Sequence, residues 1–169
     1  MTSADVLADA YGRVNESVHE AVTDLTVDDL HERLDSDANP IAWLVWHLTR
    51  VQDDHIADAK GTEQLWTTEG WSERFDLPLP TATIGYGHSS AEVAAVRVTS
   101  PHLLTDYHDA VHARTVRFVT GLDDSQLDRV LDARWDPPVT LGVRLVSVIA
   151  DGLQHAGQAA FIRGILLRR

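Results

Sequence analysis

VSVIADGLQHAGQAAFIRG, Val146 to Gly164, decides the fold. Wound into a helix, Leu141, Leu145, Val148, Gly152, His155, Ala159, Ile162 and Leu166 follow one another at steps of three or four residues and form one inward stripe. His155 lies within that stripe, and Asp151, one turn earlier, leaves the helix on the same side. An ionised carboxylate aimed at a core is costly unless a charge or strong donors meet it, and the flanking Val148, Ile149 and Leu153 offer neither. A divalent cation would meet it. A plain Asp–His pair, at the surface or in the core, is the other arrangement that this spacing allows.

Three further helical patterns precede this one. The first runs from Ser3, as N-cap, to Thr23, with Val6, Leu7, Ala10, Val14, Val18, Ala21 and Leu25 on its apolar side and His19 near the edge. A short turn of helix, Val27 to Leu34, ends in the turn chemistry of Asp35 to Pro40. The second long helix is PIAWLVWHLTRVQDDHIADAKG, with Pro40 suited to its first turn and Gly61 to its end. Ile41, Leu44, Leu48, Val51, His55 and Ile56 form its stripe, and His47 stands beside it, able to look inward. His55 is two turns further on, about 12 Å along a straight helix, so the two histidines cannot share one ion. Trp43 and Trp46 flank His47 with apolar surface, whereas His55 follows Gln52, Asp53 and Asp54. His47 is therefore the better third ligand, and a histidine packed at a helix interface is the alternative.

Residues 62–100 break the period with Pro78, Pro80, Gly70, Gly85 and Gly87, the pattern of a long crossover carrying one short helix, Ser89 to Val98. Its aromatic residues Trp66, Trp71, Phe75 and Tyr86 either cover a binding site or plug the bundle's open end. The third long helix, Pro101 to Thr120, buries Leu104, Tyr107, Val111, Thr115 and Phe118. His108 and His112 on it have the spacing of a two-histidine metal site and compete with Asp151 and His155, although they fall at the edge of the stripe. Gly121 to Gly142 then holds a short amphipathic turn and the Trp135–Pro138 turn that leads into helix four. The expected architecture is an all-α bundle of four long helices, with residues 1–169 as a single domain.

Composition narrows the function. The chain has no cysteine, hence no disulfide and no thiol nucleophile of its own, and any sulfur chemistry must use a thiol from outside. A net charge of −12 with acids spread along the chain disfavours nucleic acid and anionic membranes as partners. The N-terminus lacks a basic region followed by an apolar run, and no segment reads as a membrane span, so a cytoplasmic protein is expected.

WHLTRVQDDHIA, the acid followed four residues later by histidine, and HAGQAAFIRG together resemble the DinB-like superfamily. More closely, they resemble its actinobacterial branch, related to mycothiol-dependent S-transferases and maleylpyruvate isomerase. The likeness runs nearly the whole length, including LPTATIGYGHSSAEVAAVR. It implies a DinB-like four-helix bundle with a long crossover between helices two and three. It also implies a metal held by one histidine of helix two and two residues of the helix-four motif, here His47, Asp151 and His155. Asp151 stands where most members carry histidine and the isomerase carries glutamate, and aspartate is one methylene shorter. Either helix four approaches more closely, which Gly152 and Gly157 would permit, or a water completes the shell. The isomerase has a second domain for which this chain is too short, so the small S-transferases are the nearer likeness.

Two neutral imidazoles and one carboxylate would leave Zn²⁺ with a charge of about +1 and a vacant position, as in catalytic sites. A metal there deprotonates a coordinated thiol. The expected function is a metal-dependent transferase that activates a low-molecular-weight thiol, by resemblance mycothiol, for attack on an electrophilic small molecule. Gln158, and Gln154 beside it, could hold the thiol's polar groups, and Arg163 a carboxylate on the cosubstrate; each could equally face solvent. A hydrolase using metal-bound hydroxide, with Asp54 or Glu69 as base, and a non-catalytic ligand-binding bundle remain alternatives. A homodimer is implied by the resemblance, and no face for it is marked in the sequence.

Overall fold

Side-chain oxygens start the helices. Thr2, Thr26, Ser89 and Thr140 each accept a hydrogen bond from a first-turn amide, and Asp5, Asp29 and Glu92 return the bond to the first three of these caps. The computed structural model describes residues 1–169. The helices are α1 (Ser3–Val22), α2 (Val27–His31), α3 (Ile41–Lys60), α4 (Leu65–Thr68), α5 (Trp71–Phe75), α6 (Ser90–Ala95), α7 (Pro101–Val119) and α8 (Leu141–Leu166). Thr2, not Ser3, caps α1, because only Thr2 has the extended backbone from which its hydroxyl reaches Asp5 N. A short antiparallel pair not expected from the sequence, β1 (Val130–Asp132) and β2 (Val139–Thr140), precedes α8.

The four long helices form an all-α bundle in which α8 packs on α1 and α3, and α7 completes the square against the same two. On α8 the buried residues are Leu141, Leu145, Val148, Gly152, Ala156, Ala159 and Ile162, the stripe read from the sequence, with His155 half-buried at its margin. A Cβ on Gly152 would lie 3.0 Å from Val14 Cγ1, so this glycine lets α8 approach α1. Gly157 meets nothing within 4 Å and tightens no contact. The closer approach toward α3 expected from these two glycines therefore does not arise from them. Val6, expected inside, is 53% exposed, because the inward face of α1 runs through Leu7, Tyr11, Val14 and Val18. No helix is long and apolar enough to cross a membrane.

Residues 61–100 join α3 to α7. Trp66, Trp71 and Phe75 are buried with ring centroids 5.4, 5.2 and 5.8 Å from Tyr107 of α7, so these three aromatics plug the bundle. Asp53 of α3 anchors the plug. Its carboxylate accepts from Leu65 N (3.0 Å), Trp66 N (2.8 Å) and the Tyr107 hydroxyl (2.8 Å), with the Arg50 and Arg114 guanidinium groups at 3.8 and 3.7 Å. Asp53 is 1% exposed, and Arg50, fully buried, lies 4.6 Å over the Trp66 ring. Removing the carboxylate leaves two amides and the Tyr107 hydroxyl without an acceptor and the buried Arg50 guanidinium without its counter-charge. Asp53→Ala is expected to cost about 3–5 kcal/mol, read as a fall in the urea midpoint without a change in slope.

His108, expected at the edge of its stripe, is fully buried, because α3 covers that side of α7. The Thr49 hydroxyl donates to Val45 O (2.8 Å), so its oxygen accepts from His108 Nδ1 (3.0 Å). His108 Nε2 is buried without a partner. Burial, then the neighbouring His112, pushes His108 down to about 3, against 6.5 for the free side chain. The unfolded chain therefore binds this proton first, and stability falls as the pH drops below 6.5. Between neutrality and pH 4.5, His108→Gln is expected to lose about 2 kcal/mol less than the parent in denaturant titrations.

Candidate metal centre

Two helices supply the cluster: α3 carries His47, and α8 carries Asp151 and His155 on successive turns of its inward side. One ligand atom from each lies within 4.8 Å of the other two, and these three form the one such group of histidines and acids in the chain. Asp151 Oδ1 is 3.6 Å from His155 Nε2, and the two imidazole centroids are 4.9 Å apart at 74°. Trp43 stacks on His47 at 4.6 Å and turns its edge to His155 at 6.2 Å, which walls the cluster with apolar surface.

Both imidazoles are held by the nitrogen that faces away from the cluster. His47 Nδ1 donates to the Ile84 carbonyl (2.5 Å), and His155 Nδ1 donates to Gln158 Oε1 (2.8 Å). Each Nε2 then keeps its lone pair, the tautomer a metal ligand needs. Burial drives His47 down to about 4, with His155 and His88 adding to the effect and the Ile84 carbonyl opposing it, so the ring is neutral at ordinary pH. Burial also raises the Asp151 carboxyl, against the pull of His155. Asp151 Oδ2 is buried and has no hydrogen-bond partner. Two imidazole nitrogens and an orphaned carboxylate oxygen are a donor set that could hold a divalent cation.

The connection supplies the other wall. Gly85 adopts φ +102°, and a Cβ there would lie 2.4 Å from His47 Nδ1, so only glycine lets the chain pass close enough for Ile84 to receive the imidazole N–H. Tyr86 sets its edge against His47 at 5.2 Å and 83°. Burial, then the charges of Asp151 and Asp54, raises the Tyr86 phenol, and Arg144 opposes the shift. Trp43 Nε1 donates to His88 Nδ1 (3.2 Å), which leaves His88 Nε2 to donate to Thr83 Oγ1 (2.9 Å). Arg50 and Trp66 hold the preceding backbone at Thr83 O (3.4 Å) and Thr81 O (3.0 Å). Ile84 and His88 carry no mark in the sequence, and Gly85 shows there only as one of the breaks in the crossover. The two glycines around Tyr86 were the available signal, since closely spaced glycines mark a backbone that must approach something.

The remaining sequence candidates are dispersed. Gln158 orients His155 and, with Gln154, lines an open groove of about 640 Å³ beside Leu44, Phe161 and Ile162. Arg163 lies two turns beyond His155 and leaves its Nη1 buried without a partner, with no bond to the cluster. His108 and His112 stand with rings 6.5 Å apart, and no third ligand joins them. His55 accepts from Arg144 (2.9 Å). Asp54 is engaged by Gln64 Nε2 (2.6 Å), and Glu69 is exposed. His19 pairs with Asp109 across α1 and α7 at 2.7 Å.

Residues 10–159 match the model of the DinB superfamily. A crystal structure of a conserved protein from Enterococcus faecalis is similar over 100% of this chain and 99% of its own, with 32% identity and a TM-score of 0.94. No curated protein matches.

Gly85→Ala drives a methyl group into the His47 ring. We expect zinc affinity, measured by chelator competition, to fall about 10- to 100-fold, the usual effect of disturbing a ligand's supporting hydrogen bond. Gly87→Ala, at φ +71° in open space, shares the backbone strain without the clash, and zinc affinity should change less than threefold.

Proposed function

The chain belongs to the DinB superfamily, and we propose that it is a metal-dependent transferase that passes a low-molecular-weight thiol to an electrophilic small molecule. The observation that carries this reading is the pairing of two imidazoles, each committed to a carbonyl oxygen through Nδ1, with the orphaned Asp151 Oδ2. His47, Asp151 and His155 would hold the ion, which we take to be Zn²⁺. When bound, such an ion lowers the pKa of a coordinated thiol and so supplies a thiolate at neutral pH.

The chain's own residues do the rest. His47 holds its neutral form well below neutrality, so protons compete weakly for it. The Ile84 carbonyl and Gln158 fix the two ring orientations, and Trp43 excludes water from one side. With no cysteine in the sequence, the thiol comes from outside. Mycothiol is our choice because of the sequence likeness to the actinobacterial branch of the superfamily. Gln154 and Gln158, at the groove beside His155, are placed to meet its polar groups; Arg163 stands further along the same helix as a candidate for a carboxylate on the cosubstrate. The engagement of Asp54 by Gln64 favours transfer over hydrolysis, since that carboxylate already accepts a hydrogen bond. We further propose that residues 1–169 act as one domain with a crossover between the second and third long helices, and work in the cytoplasm as a homodimer.

Metal-stripped protein reloaded with zinc is expected to take up one equivalent by elemental analysis. That equivalent should survive His108→Ala and be lost in His47→Ala, Asp151→Ala and His155→Ala. Turnover of a model electrophile should require added thiol; turnover by water alone would favour the hydrolase. Zinc retained by His155→Ala and lost by His108→Ala would move the centre to α7.

A further inference from the structure

Tyr86 stands apart from the other aromatic residues of the connection. Trp66, Trp71 and Phe75 are buried in the plug, whereas Tyr86 is 59% exposed and touches the bundle through His47. The other two tyrosines bond their hydroxyls inside the protein, Tyr11 to Leu145 O (3.3 Å) and Tyr107 to Asp53 (2.8 Å), as buried phenols must. The Tyr86 hydroxyl has no protein partner. Its ring stands 5.2 Å from the His47 imidazole, and the charges of Asp151, Asp54 and Arg144 all act on the phenol.

The backbone explains how the ring arrives there. Gly85 and Gly87 take φ +102° and +71°, which turns the chain sharply on both sides of Tyr86 and leaves its ring at right angles to the His47 imidazole. Trp43 stacks on the same imidazole at 4.6 Å, so the ring meets apolar surface there and the Tyr86 phenol at right angles. A phenol in that place is suited to an electronegative atom bound beside the three ligand groups.

We infer that Tyr86 is a ligand-binding residue whose hydroxyl donates a hydrogen bond to a thiolate or oxyanion held at the open side of the His47–Asp151–His155 cluster. This rests on the metal-dependent reading above and adds a residue to it. Tyr86 holds the ligand and takes no part in holding the ion.

The test uses the full chain loaded with Co²⁺ and 2-mercaptoethanol as the probe, with the sulfur-to-cobalt charge-transfer absorption as the readout. Tyr86→Phe keeps the ring against His47 and removes only the hydroxyl at an exposed position. We expect one equivalent of cobalt in both proteins and a Kd for 2-mercaptoethanol about tenfold higher in Tyr86→Phe, the loss of one hydrogen bond to a charged group. Equal cobalt uptake with probe affinities within twofold of each other would overturn the role of Tyr86 and leave the metal centre standing. Cobalt-loaded parent protein whose spectrum does not respond to the probe would overturn it also. A parent chain that takes up no cobalt would overturn the metal reading itself, and the role of Tyr86 with it.

Discussion

The burial of the Asp53 carboxylate constrains the rest of the structure. A charge so placed must be met on every lone pair, and α3 alone cannot do it. The chain after α3 therefore folds back, brings the amides of Leu65 and Trp66 to Asp53, and lays Trp66 under the Arg50 guanidinium. From that anchor the backbone runs across α3 with Thr81 and Thr83 held by Trp66 and Arg50, and the next carbonyl, that of Ile84, receives the His47 N–H. A buried ion pair with no place in the chemistry thus sets the tautomer of a candidate ligand.

The cluster itself is a meeting of groups that gain little from one another. His47 is disfavoured as a cation by burial, and Asp151 is disfavoured as an anion by the same cause, so neither repairs the other as an ion pair. His155 lies 3.6 Å from Asp151, beyond a hydrogen bond, and spends its own N–H on Gln158. The arrangement brings two imidazole nitrogens and a carboxylate oxygen within 4.8 Å of one another beside the Trp43 ring, a set that a divalent cation would satisfy together. By contrast, His108 shows what a buried histidine looks like when a neighbouring hydroxyl takes one nitrogen and the other has no partner.

The sequence by itself determined the parts that lie on single helices. The period of α8 brings Asp151 and His155 to one side, and the Trp-flanked position of His47 turns it inward, since helical geometry carries both facts without knowledge of the partner helix. The resemblance of WHLTRVQDDHIA and HAGQAAFIRG joined the two helices, which periodicity alone could not do. Period also left errors at stripe margins: Val6 is outside and His108 inside, because the edge of a stripe is settled by how much of it the neighbouring helix covers. Only the tertiary structure decided what surrounds the cluster. That a carbonyl at Ile84 orients His47, that Gly85 must lack a side chain, and that Gly152 serves α1 and not α3 are matters of distance between segments far apart in the chain. A backbone carbonyl is the same group at every residue, so no letter of the sequence could mark this one.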